Sequence, residues 1–149
     1  SSPGSPDFDR PLTKKGRDDI NRLSIQLVKL EPELASNKVI LLSSPSNRTT
    51  ETTQLLLTGL NNPKISVNYI EEGYLASPGT WKKSLEKLTP ENHTCIIVGH
   101  NPGVSDLINN LSGSHITMTP GTCVYMELLI NDWSEVFDGT GNVISAYRP

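Results

Sequence analysis

The chain has 149 residues, a length that fits one domain with an adequate core. A net charge of -3 and 5% aromatic residues exclude a general attraction to nucleic acid or anionic membranes and call for an aliphatic core, so any anion site must be built locally from a few placed cations. No apolar stretch reaches the length of a membrane span and no basic-then-apolar leader opens the chain, so a soluble, cytoplasmic and monomeric protein is expected.

Taken in order, the chain opens with SSPGSPDFD, which reads as loop. Thr13 can then cap a helix that carries Ile20, Leu23, Leu27 and Leu30 along one face, with Gly16 in its first turn. Lys38 to Leu42 is a short apolar run without alternation, the pattern of a strand buried on both faces of a parallel sheet. It leads into Ser43-Ser44-Pro45-Ser46-Asn47-Arg48 and a helix from Thr49 to Leu60 with Leu55, Leu56 and Leu60 inward. Arg48 is thereby placed at the carboxyl edge of the sheet, where open α/β sheets bind ligands. Its planar fork suits a pair of phosphate oxygens, with Ser44, Ser46 and Thr49 as neighbouring donors. An ion pair with a nearby carboxylate is the structural alternative.

Ile65 to Ile70 alternates as a strand and runs into Glu71-Glu72-Gly73-Tyr74, which brings carboxylates toward the same edge. Trp81, Leu85 and Leu88 mark a helix ended by Thr89-Pro90. Cys95 to Val98 is another unalternating strand, and Gly99-His100-Asn101-Pro102-Gly103 leads from it into a helix with Val104, Leu107, Ile108 and Leu111 at helical spacing. His100 therefore stands at a strand's carboxyl end beside a helix N-terminus, whose N–H groups and partial positive charge suit an anion. Taken alone, such a histidine can equally be a hydrogen-bonded structural residue. Thr122 to Ile130 and Val143 to Tyr147, joined through Asp138-Gly139-Thr140-Gly141-Asn142, read as an antiparallel hairpin at the sheet edge.

Cys95 and Cys123 are widely spaced, fall in predicted strands and have no Cys-x-x-Cys or Cys/His partner, so they read as reduced core residues. Three Asn-x-Ser/Thr triplets, at Asn47, Asn92 and Asn110, read as chance matches. The whole is one domain over residues 1–149, a mainly parallel three-layer α/β fold. One strand is missing from the pattern, because the helix at Thr13 needs a strand before it to complete a right-handed crossover.

Four blocks in order, DFDRPLTKKG (Asp7 to Gly16), SSPSNRTTET (Ser43 to Thr52), EEGYLAS (Glu71 to Ser77) and IIVGHNPGVSDLINNL (Ile96 to Leu111), resemble those of the SixA-type phosphohistidine phosphatases, small members of the histidine phosphatase superfamily that includes phosphoglycerate mutases. The resemblance implies a phosphoglycerate mutase-like fold and a hydrolase that passes a phosphoryl group to its own histidine and then to water, without a metal or other cofactor. It implies Arg48 and His100 as phosphate ligands and catalytic residues, Ser44 and Asn101 as further phosphate-binding candidates, and Glu72 as a candidate proton donor. The implied partner is a phosphorylated histidine-containing protein or a phosphate monoester. The family's Arg-His-Gly or Arg-His-Ala motif, which supplies the nucleophilic histidine, ends a first strand that would lie upstream of Ser1. An additional strand and turn of about 12 to 15 residues is therefore expected there. His93 precedes its strand and His115 follows the helix after His100, so neither replaces it. Two other classes fit the same residues: a non-catalytic phosphate- or phosphoprotein-binding module, and a phosphatase of small phosphate esters.

Overall fold

The computed structural model of the protein describes residues 6–74 and 76–149. Among the described residues, ten helices and strands run in the order α1 (Pro6–Asp9), α2 (Lys14–Leu30), β1 (Val39–Ser43), α3 (Asn47–Leu60), β2 (Ile65–Tyr69), α4 (Pro78–Glu86), β3 (Thr94–Val98), α5 (Gly103–Ser112), β4 (Cys123–Leu128) and β5 (Gly141–Tyr147), with short 3-10 turns between some of them. Local chemistry sets many of the boundaries. The Thr13 side chain accepts from Gly16 N at the start of α2, Ser46 does the same for Thr49 N in α3 and Ser77 for Thr80 N in α4. Asn61 and Gly113 end α3 and α5 in the left-handed conformation.

The strands lie in a three-layer α/β arrangement with a mainly parallel sheet and an antiparallel edge hairpin, as expected from the sequence. Parallel strands follow the order β2-β1-β3, with Leu41 opposite Val67 on one side and Ile96 on the other. β1 is the inner strand, and all five of its residues are buried. Val39 and Leu41 face a cluster with Ile20, Leu23 and Leu27 of α2 and Leu56 and Leu60 of α3, while Ile40 and Leu42 face Trp81, Leu85, Leu107 and Leu111 of α4 and α5. A strand covered by helices on both sides gains nothing from polar alternation, which is why this run is apolar throughout.

β4 and β5 pair antiparallel with a register shift between Tyr125 and Met126. Among the described residues, β3 pairs with β1 and β4 with β5, and β3 and β4 are not hydrogen-bonded to each other. Both nevertheless feed the same two cores: Ile96 and Cys123 pack on the α2 side, Cys95, Ile97 and Met126 on the other.

Two expectations need correction. The run from Cys95 to Val98 was expected to be buried on both faces, yet only Val98 is buried and its neighbours are half-buried. Helices cover both faces of β3, but its outer edge has no paired strand among the described residues. The SSPGSPDFD stretch is not loop throughout, because Pro6 to Asp9 forms one helical turn. Tertiary contacts order that turn: the Phe8 ring packs on Tyr74, and the Asn47 side chain donates to Asp9 O at 2.6 Å. The part of the loop reading that covers residues 1–5 lies outside the described residues, as does Leu75 of the EEGYLAS block.

Candidate active site

Parallel register assembles the site. Ser43 of β1 is opposite Val98 of β3, so the residues that follow each strand leave the sheet on the same rim. Ser44 N donates to Val98 O at 2.9 Å, which ties the two departing chains together. Ser44 Oγ then lies 2.9 Å and Ser46 Oγ 3.2 Å from His100 Nε2. The turn after β1 therefore holds the imidazole that follows β3. Just before the imidazole, Gly99 lets the chain pass close to α4 and α5, since a Cβ there would fall 2.8 Å from both the Trp81 ring and a Val104 methyl.

Hydroxyl groups line the seat of the imidazole. Ser43, Ser44, Ser46 and Thr53 are fully buried and Thr49 nearly so. Thr53 Oγ1 donates to Ser43 Oγ, and Ser43 Oγ to Ser44 O. Thr49 Oγ1 donates to Ser44 O at 2.7 Å and sits 2.8 Å from Ser46 Oγ. Buried polar groups left without partners would cost about 1–3 kcal/mol each, so this network explains how five small hydroxylated residues survive in the interior.

Above the imidazole, Tyr74 packs edge-on against the His100 ring at a centroid distance of 5.2 Å, and Phe8 packs edge-on against Tyr74 at 5.0 Å. Tyr74 is held by the 3-10 turn of Glu71–Gly73, whose Gly73 lies so close to Ser44 that a Cβ there would come within 3.1 Å of the Ser44 Cα. These rings were not anticipated from the sequence. The EEGYLAS block drew attention to its carboxylates, and nothing in its spacing signals that the tyrosine is the residue that turns inward.

The other sequence candidates fall as follows. Arg48 sits in the first turn of α3, half-buried, two residues beyond Ser46 and on the rim that holds His100. Asn101 follows His100 directly, but its side chain works within the fold: Nδ2 donates to Met118 O, and Oδ1 accepts from Ser105 Oγ at 2.7 Å. A phosphate at that side chain would compete with these bonds. Glu72 is exposed on the turn beside Ser44, next to the equally exposed Glu71. His93 is exposed at the opposite end of β3, and His115 is exposed in the segment after α5. A shallow cavity of 240 Å³ opens beside the site between the starts of α4 and α5, lined by Ser77, Pro78, Asn101, Gly103 and Asp106 among others.

Cys95 and Cys123 are both free, and burial pushes their thiols up to about 12 and about 11, so neither is a ready nucleophile. Among the described residues, no three His, Cys, Asp or Glu side chains come together as a metal-binding group. No helix among them is long and apolar enough to cross a membrane.

Comparison with known proteins adds the fold's relatives. No family model matches the chain. An uncharacterized chloroplastic protein of Arabidopsis thaliana is 27% identical over 143 residues, covering 91% of this chain. The chain spans 64% of the length of that relative. Among solved structures, a protein assigned as phosphohistidine phosphatase SixA from Nakamurella multipartitia superposes with a TM-score of 0.80 at 20% identity, covering 96% of this chain and 87% of that one. One from Agrobacterium tumefaciens gives 0.77 at 21% identity, over 100% and 90%. The protein histidine phosphatase SixA solved with tungstate gives 0.73 at 25% identity, over 93% and 84%. The chain shares the fold of these SixA structures. Within the SixA-type fold, His100 and Arg48 occupy the turns that follow two adjacent parallel strands, which is where this architecture brings chemistry-bearing side chains together.

Proposed function

We propose that the protein is a phosphohydrolase that removes phosphate from phosphohistidine on a protein substrate, through a phosphohistidine intermediate formed on a histidine supplied from upstream of Ser1. The observation that carries this reading is the seating of His100 by Ser44 and Ser46 on the rim that also presents Arg48. An imidazole and a guanidinium beside the N-termini of α3 and α5 form a site of the right sign and shape for a phosphoryl group. Tungstate, the ligand named for one of the similar structures, is an oxyanion of the same kind.

In the proposed reaction the upstream histidine nitrogen attacks phosphorus in line, and the phosphorus–nitrogen bond to the substrate's imidazole breaks. The departing nitrogen takes up a proton. Water then attacks the phosphorylated enzyme histidine, releasing inorganic phosphate and restoring the free imidazole. Arg48 and His100 hold the equatorial oxygens and stabilise the charge that builds on them, together with an arginine next to the nucleophile. Glu72 is the proposed proton donor. Imidazole is a better leaving group than an alkoxide, so the demand on this acid is modest.

Two features support the upstream nucleophile. Neither His93 nor His115 lies on the rim. Among the described residues, β3 and β4 contribute to the same two cores without pairing with each other, an arrangement that suits a further strand beside β3 with the nucleophile at its end. A protein substrate is favoured by the short path from Glu71 to Glu86, a single 3-10 turn and a nine-residue helix packed on α5, which leaves the rim without a long covering insertion.

The test is release of phosphate by the full-length protein from a phosphorylated histidine phosphotransfer domain, compared with a panel of sugar phosphates. Faster turnover of the phosphodomain, with label trapped on an enzyme histidine, supports the proposal. Preference for the sugar phosphates would replace it with a small-ester phosphatase. Binding without turnover of either would replace it with a phosphate-binding module.

A further inference from the structure

Asn101, Ser105 and Asn109 recur every four residues after His100, and all of them bond to one passing segment, Ile116 to Met118. Asn101 Nδ2 donates to Met118 O, Met118 N donates to Ser105 Oγ at 3.0 Å, and Ser105 Oγ donates to Asn101 Oδ1 at 2.7 Å. The bonds close into a ring. Met118 O can only accept, so the amide atom against it is the nitrogen, and Oδ1 is left to take the hydroxyl hydrogen of Ser105. One helical turn further on, Asn109 Nδ2 donates to Ile116 O at 2.9 Å and Asn109 Oδ1 accepts from Ile116 N at 2.8 Å. Ser105 and Asn109 are about 6 Å apart along a helix axis, and two residues of extended chain cover about 6.6 Å, so the helix and the segment stay in step. The side chains of α5 thus serve this segment as a neighbouring strand would.

We infer that Asn101 and Ser105 are positioning residues, whose ring of hydrogen bonds with Met118 fixes the turn that carries His100. The turn has little slack elsewhere. Val104 N donates to His100 O at 3.0 Å, so α5 opens directly from the histidine. Gly103 lies so close to the segment after Tyr74 that a Cβ on it would fall 2.0 Å from Ala76 O. Ala76 and Met118 therefore hold the turn from two separate parts of the chain. Ser105 is buried, so it does not reach a substrate and acts on the reaction only through the residues it holds. Asn101 is exposed on the rim, yet both ends of its amide are engaged with the fold. What the turn is held for rests on the reading of His100 as a phosphate ligand, whereas the placement of His100 by the ring does not.

The experiment compares Asn101→Ala, Ser105→Ala and the double variant of the full-length protein, with phosphate release from a phosphorylated histidine phosphotransfer domain measured well below each unfolding midpoint. Each single variant should lose on the order of 10-fold in kcat with KM little changed, because a displaced transition-state contact acts on turnover rather than on binding. The double variant should be no slower than the slower single variant, since either change opens the same ring. Ser105→Ala with wild-type kcat would overturn the inference. So would losses that multiply in the double variant, the behaviour of an Asn101 that holds phosphate by itself. Proton NMR of the His100 ring gives a second readout that needs no substrate. Tyr74 lies 5.2 Å from that ring, so its ring current makes the His100 proton shifts sensitive to small displacements. In Ser105→Ala these protons should move while the methyl resonances of Val39 and Leu41 in the core stay in place, and unmoved His100 protons would overturn the inference. If they move as stated and the wild-type protein releases phosphate from no substrate, the positioning stands and the phosphatase reading falls.

Discussion

Ser44 Oγ and His100 Nε2 lie 2.9 Å apart although 56 positions separate the two residues, and the pairing of Ser43 with Val98 in the parallel sheet is what brings them together. Because the contact is set by strand register, the imidazole is positioned by the most buried part of the molecule. Substitutions on the rim should therefore change chemistry more than stability.

For His100→Ala in the full-length protein, phosphatase turnover should drop by about 10²–10³-fold, the usual effect of deleting one preorganised donor to developing charge. The melting temperature should stay close to wild type. Steady-state release of phosphate from a phosphorylated histidine domain, with thermal unfolding alongside, checks both halves.

Arg48→Ala should lower kcat/KM by on the order of 10²-fold, and Arg48→Lys should recover only part of that loss because an ammonium cannot reproduce the planar fork. Unchanged activity in Arg48→Ala would remove Arg48 from the site.

A stability prediction comes from the contact of α2 with α3. A Cβ on Gly59 would fall 2.3 Å from the Ser24 Cβ, so the helices meet there with no room for a methyl group. Alanine is the better helix former by about 1 kcal/mol. Even so, Gly59→Ala should destabilise the protein, with overpacking costing about 1–3 kcal/mol. Ser24→Gly in the same chain should recover part of the loss, and denaturant unfolding of the two single variants and the double variant measures the coupling.

The cysteines give a dependence on pH. Burial holds Cys95 and Cys123 protonated, up to about 12 and about 11, while unfolded thiols ionise near the ordinary value of about 8.5. Below that value both states carry the proton and this contribution to stability is fully present. Above it the unfolded chain loses protons first, so stability falls as pH rises from about 9 toward 11–12. Unfolding midpoints across that range should decline less steeply in a Cys95→Ala, Cys123→Ala double variant than in the parent. At pH 8 the native thiols should resist alkylation that proceeds readily once the chain is unfolded.

Much of this architecture was legible in the sequence because the signals were local. Lys38 to Leu42 and Cys95 to Val98 gave strands without alternation, Thr13 marked a helix start, and the turns after the two strands placed Arg48 and His100 on one edge. What escaped notice depended on long-range packing. Tyr74 meets His100 because Gly73 allows its turn to press on Ser44, and the Asn101 amide is drawn away by Met118 and Ser105, contacts that no local pattern encodes. The helical turn at Pro6–Asp9 was missed for the same reason, since Phe8 and Asn47 order it from a distance.

The side of β3 that has no paired strand among the described residues has a further consequence for handling the protein. Cys95, Ile96, Ile97 and Val98 form an apolar, largely β-branched row with no proline and no charge, the composition that lets a strand template self-association. Where no strand covers that edge, one molecule can offer it to the next. Light scattering should then grow with protein concentration, and a charged residue at Ile96 should reduce that growth at a cost in core packing.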